Sequence, residues 1–182
     1  MPGPASARVT AAGALSPRQQ EIVGVARTLL TRQGVEALTL GRVAQALGIK
    51  PPSLYKHFPS KRALEAVLIA EGMRMWAEAM ESADPTLADI AVAYRRFARE
   101  NPELYRLMTD RPLPRDLLPE GLEARAAAPV LRAAGDPDLA RAVWAFAHGM
   151  VVLELAGRFP PDAELERAWA KAVEAFSAAR AR

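Results

Sequence analysis

Residues 38–64 read LTLGRVAQALGIKPPSLYKHFPSKRAL, and this stretch decides the fold of the N-terminal part of the chain. Apolar side chains recur at helical spacing on both sides of Gly48. A glycine at this place can take the positive φ angle that a tight turn requires. We therefore predict two short helices, at about residues 39–47 and 51–57, that cross at this turn.

Two short helices joined in this way form a helix-turn-helix, whose second helix lies in the major groove of DNA. In that second helix, Leu54 and Phe58 supply the inward face. No carboxylate occurs between Glu36 and Glu65, as expected of a surface that approaches phosphate. The side chains left to point outward can bond phosphates or base edges: Lys50, Pro51, Ser53, Tyr55, Lys56 and His57.

The charges of the chain are unevenly distributed. Residues 1–62 hold nine Lys/Arg and two Asp/Glu, which gives a net charge of +7. Residues 63–182 hold fifteen Lys/Arg and nineteen Asp/Glu, which gives a net charge of −4. A basic head on an acidic body is typical of a polyanion-binding module joined to a part that does not touch the polyanion. Chance clustering of charges is the alternative interpretation.

The rest of the chain also has the pattern of helices. We predict a first helix that begins after Ser16-Pro17 and ends at Gly34, and the pairs Asp84-Pro85, Asn101-Pro102 and Asp136-Pro137 repeat this start signal. No segment alternates with the period of a strand. The later helices are predicted at about residues 60–83, 86–99, 102–109, 120–134, 137–157 and 162–180, with Pro129 expected to kink or shorten one of them.

The predicted fold class is all-α, with about nine helices. A three-helix DNA-binding domain with the helix-turn-helix is expected at residues 16–62, after a flexible arm at residues 1–15. A helical bundle that binds a ligand and dimerises is expected at residues 63–182.

Composition excludes several kinds of site. The chain has no Cys and two His, so neither a disulfide framework nor a thiolate metal site is possible, and we expect no metal and no cofactor. No run of about 18 apolar residues occurs, so we expect no membrane partner and a cytoplasmic location.

Residues 17–66 resemble the DNA-binding head of the TetR family of regulators. The first matching feature is a leading helix that ends at Arg32-Gln33-Gly34, and the second is the helix-turn-helix at residues 40–58. The third is the signature Leu54-Tyr55-x-His57-Phe58-x-Ser60-Lys61-x-x-Leu64. Pro52 departs from the family, which often has glycine there, and it removes an N–H and stiffens the start of the helix.

The resemblance implies roles for individual residues of the head. Thr39 and Lys61 are expected to contact phosphate, and Ser53, Tyr55 and His57 to contact the backbone and the bases. Solvated charge or core packing is the alternative for each of these side chains. The complete predicted DNA-binding set is Thr39, Arg42, Lys50, Ser53, Tyr55, Lys56, His57 and Lys61.

The body resembles a TetR subgroup at residues 101–105, 144–149 and 153–159, where a Trp144…His148-Gly149 pattern occurs. In that family the last two helices usually pair with those of a second copy. The predicted dimer interface is Trp144, Val151, Leu155, Leu165, Trp169 and Phe176. The predicted ligand pocket is Trp76, Tyr94, Phe97, Met108, Trp144 and His148. Internal core packing is the alternative for both sets.

The resemblance implies a homodimeric repressor that binds double-stranded operator DNA and is released by a small, apolar effector. Activation instead of repression remains open. A helical enzyme or small-molecule-binding protein with a non-specific nucleic-acid-binding head is the alternative. A third hypothesis is an interaction protein that binds anionic membrane or RNA. An enzyme is disfavoured because no Gly-rich phosphate loop, HExxH or GxSxG occurs, and His148 and Glu154 do not share a helix face.

Overall fold

The computed structural model describes residues 14–181, and all regular secondary structure within them is helical. The predicted all-α fold is therefore confirmed over this range, whereas most of the predicted N-terminal arm lies outside it. Two short 3₁₀ turns occur at Val35–Ala37 and Arg115–Leu117. The α-helices are α1 Pro17–Gln33, α2 Leu40–Ala46, α3 Pro51–Tyr55, α4 Lys61–Glu81, α5 Leu87–Glu100, α6 Pro102–Thr109, α7 Leu122–Ala134, α8 Pro137–Leu155 and α9 Leu165–Arg180.

Most helix starts follow from capping side chains. Ser16 and Gln19 form a capping box at α1, and Asp136 accepts hydrogen bonds from the backbone of Asp138 and Leu139 at α8. The Asp84-Pro85 signal predicts Asp84 as the cap of this helix, which is two residues too early. Thr86 is the N-cap of α5, because its hydroxyl accepts from the backbone N–H of Asp89.

Pro129 lies inside α7 and does not shorten this helix, so a kink is the part of the prediction that stays open. The helix continues through it to Ala134, and the proline is buried. A proline inside a helix removes one backbone hydrogen bond. Burial of neighbouring side chains such as Val130 and Ala133, which are 7% and 0% exposed, offsets that loss.

The chain forms two compact units, and their limits differ from the predicted domain boundary at residues 62/63. The first unit extends to Gly72 and includes Glu103–Leu122, and the second contains Met73–Pro102 and the chain from Glu123 onward. Helix α6 joins the first unit because Gly72 has no side chain. A Cβ built on Gly72 would lie 2.6 Å from Met108 Sδ. The functional limits of the two domains remain a prediction.

The core of the first unit is built from the predicted inward faces of α1 to α4. Its apolar side chains are excluded from water, which is the main favourable contribution to folding. The members that are at most 1% exposed include Ile22, Val23, Ala26, Leu30, Leu38, Val43, Ala44, Leu54, Phe58 and Leu64.

The turn between α2 and α3 fixes the helix-turn-helix. Gly48 has a φ angle of +65°, and its N–H donates to the carbonyl of Gln45 at 3.1 Å. The N–H of Ile49 donates to the carbonyl of Ala44 at 3.0 Å. These are the two hydrogen bonds of a Schellman motif, in which a left-handed residue reverses the chain after a helix. Ala44 is fully buried, so α2 and α3 pack with only a methyl group at this position.

None of the helices formed by residues 14–181 is long and apolar enough to cross a membrane.

We predict that Gly48→Ala lowers the free energy of unfolding by about 1–2 kcal/mol, because an L-residue resists the left-handed conformation. An added Cβ would meet no atom within 4 Å, so sterics contribute nothing. Gly24→Ala is the matched control, because its added Cβ also has no atom within 4 Å but lies inside α1. There we expect the free energy of unfolding to rise by about 0.5–1 kcal/mol. Urea denaturation of the full chain measures both, and equal effects of the two changes would contradict the role of the turn.

Candidate nucleic-acid interface

Helix α3 has one face in the core and one face in solvent. Leu54 and Phe58 are 0% exposed, whereas Tyr55 is 54% exposed, and Ser53 and Lys56 are also exposed. The helix is held by its buried face, so the outward side chains keep their direction without making contacts of their own. This is the arrangement that direct reading of base edges requires.

Lys50 and two prolines form the start of α3. Lys50 is the exposed N-cap, and Pro51 and Pro52 occupy the first two helical positions, whose N–H groups have no partner within a helix. The departure from glycine at Pro52 therefore costs no helical hydrogen bond. Ser53, the first residue with an N–H, donates it to the carbonyl of Lys50 at 2.9 Å.

Thr39 has a capping role that leaves its hydroxyl hydrogen available. The exposed hydroxyl accepts from the backbone N–H of Arg42 at 3.2 Å, which caps α2. A hydroxyl that accepts through its oxygen can still donate its hydrogen to phosphate. The guanidinium of Arg42 donates to the side-chain oxygen of Gln33 and lies on the exposed side of α2.

His57 and Lys61 are less open than the other predicted contacts. The side chain of His57 is half-buried, and its carbonyl accepts from the side-chain amide of Gln19 at 3.3 Å. Lys61 Nζ lies 3.4 Å from Glu65, whose carboxylate also lies 3.5 Å from Arg111. Glu65 therefore competes with phosphate for the charge of Lys61.

Besides the contact of Arg111 with Glu65, two ion pairs join the segment at residues 103–122 to the rest of the first unit, and none of the three was predicted from the sequence. Arg62 donates to both carboxylate oxygens of Asp116, one of them at 2.9 Å, and Arg111 donates to Glu36 at 2.9 Å. The hydrogen bonds from Arg62 lower the pKa of Asp116. Because the folded-state pKa is lowered, this pair contributes at neutral pH and is lost as the pH falls through the pKa of Asp116. The pairing places a carboxylate beside the basic head.

A small apolar cavity lies in the second unit, among α5, α7, α8 and α9. Its volume is about 20 Å³, which is room for roughly one water molecule, whereas sites for drug-sized ligands measure roughly 300–1,000 Å³. Tyr94 and Trp144, from the predicted ligand set, are part of its wall. The other lining residues are Leu87, Ile90, Ala91, Val130, Val143, Phe146, Ala147, Trp169, Val173 and Phe176.

The other predicted ligand residues lie elsewhere. Trp76 stacks edge-to-face on Tyr94 and Phe97, with ring centroids 4.6 and 5.3 Å apart, and donates to the carbonyl of Ala126 at 3.1 Å. His148 is adjacent to Trp144, 6.2 Å between ring centroids. Met108 belongs to the first unit and does not line the cavity, because α6 packs there against Gly72.

The predicted interface residues divide between core and surface. Val151 is 0% and Trp169 7% exposed in the single chain, which agrees with the alternative of core packing, and their place at a dimer interface stays a prediction. Leu155, Leu165 and Phe176 are half-buried, and Trp144 is 52% exposed. Two further apolar side chains of α8 are exposed: Val152 and Leu153.

The charged groups of the second unit are largely paired with one another. Arg95 donates to Glu154 at 2.8 and 3.0 Å and to Glu166 at 3.1 Å, and hydrogen bonding to Glu154 raises the pKa of Arg95. This cluster joins α5, α8 and α9. Among residues 14–181, no group of three or more His, Asp or Glu side chains is placed to hold a metal ion.

Comparison with known protein families identifies both parts of the chain. Residues 22–67 match the family described as bacterial regulatory proteins, tetR family, and residues 87–176 match the tetracyclin repressor-like C-terminal domain. The chain is 34% identical over 155 residues to the uncharacterized HTH-type transcriptional regulator Rv0681 of Mycobacterium tuberculosis, covering 76% of this chain and 71% of the relative.

Two further comparisons cover less of the chain or are more distant. The uncharacterized HTH-type transcriptional regulator YobS of Bacillus subtilis is 31% identical over 50% of this chain and 53% of its own length. The nucleoid occlusion factor SlmA of Haemophilus ducreyi is 34% identical over half of each chain.

Solved structures share the fold. A tetR-family transcriptional regulator from Streptomyces coelicolor superposes with a TM-score of 0.68 at 23% identity, covering 93% of this chain and 84% of that one. A TetR variant from Acinetobacter baumannii AYE in complex with minocycline gives a TM-score of 0.62 at 23% identity, covering 91% and 96%. The matched regions and the relative that shares most of its length show that the chain belongs to the TetR family, and it is a DNA-binding transcription regulator and not an enzyme.

Proposed function

We propose that the chain is a cytoplasmic homodimeric repressor that reads a palindromic operator through α3 of each copy. The observation that carries the proposal is the division of α3 between a fully buried face and an exposed face of hydroxyl, phenol and ammonium groups. Such groups bond base edges and phosphates. Thr39 and Lys61 provide the phosphate contacts that hold α3 in register, and Arg42, Lys50, Lys56 and His57 complete the interface.

The proposed dimer forms through α8 and α9. Trp144, Val152 and Leu153 expose between 38% and 52% of their surface on α8, and large exposed apolar side chains on one helix favour burial against a second copy. A symmetric dimer repeats α3 at a fixed spacing, so the operator must repeat its half-site at the same spacing. Dimerisation is thus what gives the regulator a palindromic target.

The proposed effector is a small apolar molecule that binds the second unit at the cavity. Any such ligand must enlarge a space of about 20 Å³, so the bound and free states differ in conformation. A ligand that prefers one conformation shifts the population toward it and changes the DNA affinity. Release of the operator on effector binding follows from this coupling.

Selection from a pool of random duplex DNA, at two salt concentrations, tests the proposed function. We expect a palindrome with half-sites about one helical turn apart. Recovery of no motif, with binding lost steeply as salt is added, would favour the alternative of a helical ligand-binding protein with a non-specific basic head.

We predict that Thr39→Asp reduces the affinity for the selected duplex by about tenfold, equal to about 1.4 kcal/mol, while the stability of the fold is kept. Aspartate caps a helix as well as threonine does but repels phosphate. Fluorescence anisotropy measures binding, and thermal denaturation measures stability. Thr39→Ser, which keeps both the cap and the donor, is the control, and unchanged binding of Thr39→Asp would remove Thr39 from the interface.

Substitutions at two adjacent residues of α3, Leu54 and Tyr55, should affect different properties: the first the stability of the fold, the second the affinity for DNA. Tyr55→Ala is expected to weaken binding to the selected duplex by about 1–3 kcal/mol with little change in stability, because the side chain is 54% exposed. Leu54→Ala is expected to cost about 2–5 kcal/mol of stability, because that side chain is fully buried. Binding and urea unfolding are measured on both variants, and a stability loss in Tyr55→Ala with normal binding would place Tyr55 in the core instead.

We predict that Val152→Arg converts the dimer to single chains, because it buries an unpaired charge in the proposed interface. Val92→Arg is the matched control, since Val92 is 65% exposed on α5, outside α8 and α9. Sedimentation velocity should give twice the chain mass for the unmodified protein and for Val92→Arg. A single-chain mass for the unmodified protein, or an unaffected Val152→Arg dimer, would refute the α8 interface.

A further inference from the structure

The indole N–H of Trp169 is a buried hydrogen-bond donor without an acceptor. Trp169 is 7% exposed, and its Nε1 has no hydrogen-bond partner among the described residues. The other two tryptophans differ, because Trp76 donates to the carbonyl of Ala126 and Trp144 is half-exposed to water. Buried donors are nearly always paired, so an unpaired one calls for a physical reason.

Among the side chains that line the cavity with Trp169, only the hydroxyl of Tyr94 is a strong acceptor, and it is not a partner of the indole N–H. Trp169 lines the apolar cavity of the second unit, and its ring lies edge-to-face with that of Phe146, 5.5 Å between centroids. An aromatic face accepts a hydrogen bond only weakly. A water molecule would fit the cavity by volume, but buried water needs two to four polar partners. Aliphatic side chains supply much of the wall: Leu87, Ile90, Val130, Val143, Ala147 and Val173.

We propose that this cavity binds a neutral, apolar small molecule that carries one hydrogen-bond acceptor, and that the indole N–H of Trp169 donates to that acceptor. The inference rests on the proposed effector role of the second unit and specifies the chemistry of the effector. A carbonyl oxygen on a compact hydrocarbon body fits this description. Binding recovers the hydrogen bond that the free protein lacks, which gives the ligand a directional contact in an otherwise apolar site.

The charges of the second unit exclude an ionised ligand from this site. No lining residue carries a charge, and Arg95, which is not part of the lining, pairs with Glu154 and Glu166. A carboxylate or an ammonium in the cavity would be buried without a counter-charge, at a large cost. The acceptor must therefore belong to a neutral group.

Trp144 is the part of the wall that can move to make room. Its side chain is half-exposed, whereas the other aromatic side chains of the wall are buried or half-buried. A side chain outside the packed core of its own chain changes rotamer without breaking that core. Because Trp144 also lies in the proposed α8 interface, its rotation away from the cavity would open the site by repacking that interface and would leave Trp169 in place to receive the ligand.

The experiment uses the full chain labelled with ¹⁵N at tryptophan, without DNA, titrated with cyclohexanone or with methylenecyclohexane. These two probes have nearly the same shape, but only the ketone accepts a hydrogen bond. The three indole N–H resonances report the three tryptophans, and the resonance lost in Trp169→Phe identifies Trp169. We expect cyclohexanone to move the Trp169 proton resonance downfield, methylenecyclohexane to move it much less, and the Trp76 resonance to stay in place.

The affinities provide a second readout. Trp169→Phe should weaken the binding of cyclohexanone about five- to tenfold more than it weakens that of methylenecyclohexane, because the comparison cancels the different hydration of the free probes. Equal weakening of both probes, or no movement of the Trp169 resonance with either of them, would overturn the proposal. If Trp169→Phe fails to fold, as its remaining two indole resonances would reveal, Trp76→Phe and Trp144→Phe assign the Trp169 resonance by elimination, and its downfield shift in the unmodified protein decides the question.

The two measurements distinguish failure of the inferred ligand chemistry from failure of the proposed function. A ketone-specific shift at Trp169 with unchanged affinity for the selected duplex would support the site and refute the effector role. Binding of the palindrome without any ketone-specific shift would support the DNA-binding role and overturn the inferred ligand chemistry.

Discussion

The left-handed turn at Gly48 is the constraint on which the DNA-binding surface depends. Two backbone hydrogen bonds close it, from Gly48 to Gln45 and from Ile49 to Ala44, and together they set the direction in which α3 leaves α2. Burial of Leu54 and Phe58 then fixes the rotation of α3 about its own axis. Once the direction and rotation of the helix are both fixed, the outward position of Ser53 and Tyr55 follows without further contacts.

Electrostatics in the first unit balance attraction to DNA against internal pairing. The stretch between Glu36 and Glu65 has no carboxylate, which suits an approach to phosphate. The segment at residues 103–122 nevertheless supplies Asp116, which pairs with Arg62, and Arg111, which pairs with Glu36. These two pairs add one carboxylate and one guanidinium, so they leave the net charge of +7 for residues 1–62 unchanged, but they engage Arg62 within the chain.

Local sequence signals predicted much of the fold because they act over a few residues. The start of α1 after Ser16-Pro17 and the positive φ of Gly48 follow from local chemistry alone, and both were found as expected. Where two such signals competed, the prediction was wrong: Thr86 and not Asp84 caps α5.

Long-range packing could not be predicted in the same way. Helical periodicity shows that a face is apolar but does not show what covers it, so Val151 and Trp169 were expected at a dimer interface, although both side chains are already buried within the single chain. Met108 was assigned to the ligand pocket, although the lack of a side chain at Gly72 brings α6 into the first unit. The unpaired N–H of Trp169 is visible only once its neighbours are known.

The most direct test of the claim that α3 enters the major groove is DNA cleavage from an iron chelate attached to α3. The chain has no cysteine, so Pro51→Cys creates a single attachment site at the start of this helix, and Ser177→Cys on α9 is the control. On the selected duplex, the account predicts two clusters of cleavage from position 51, one within each half-site and about one helical turn apart. Cleavage from position 51 that is spread along the duplex, or no stronger than from position 177, would contradict it.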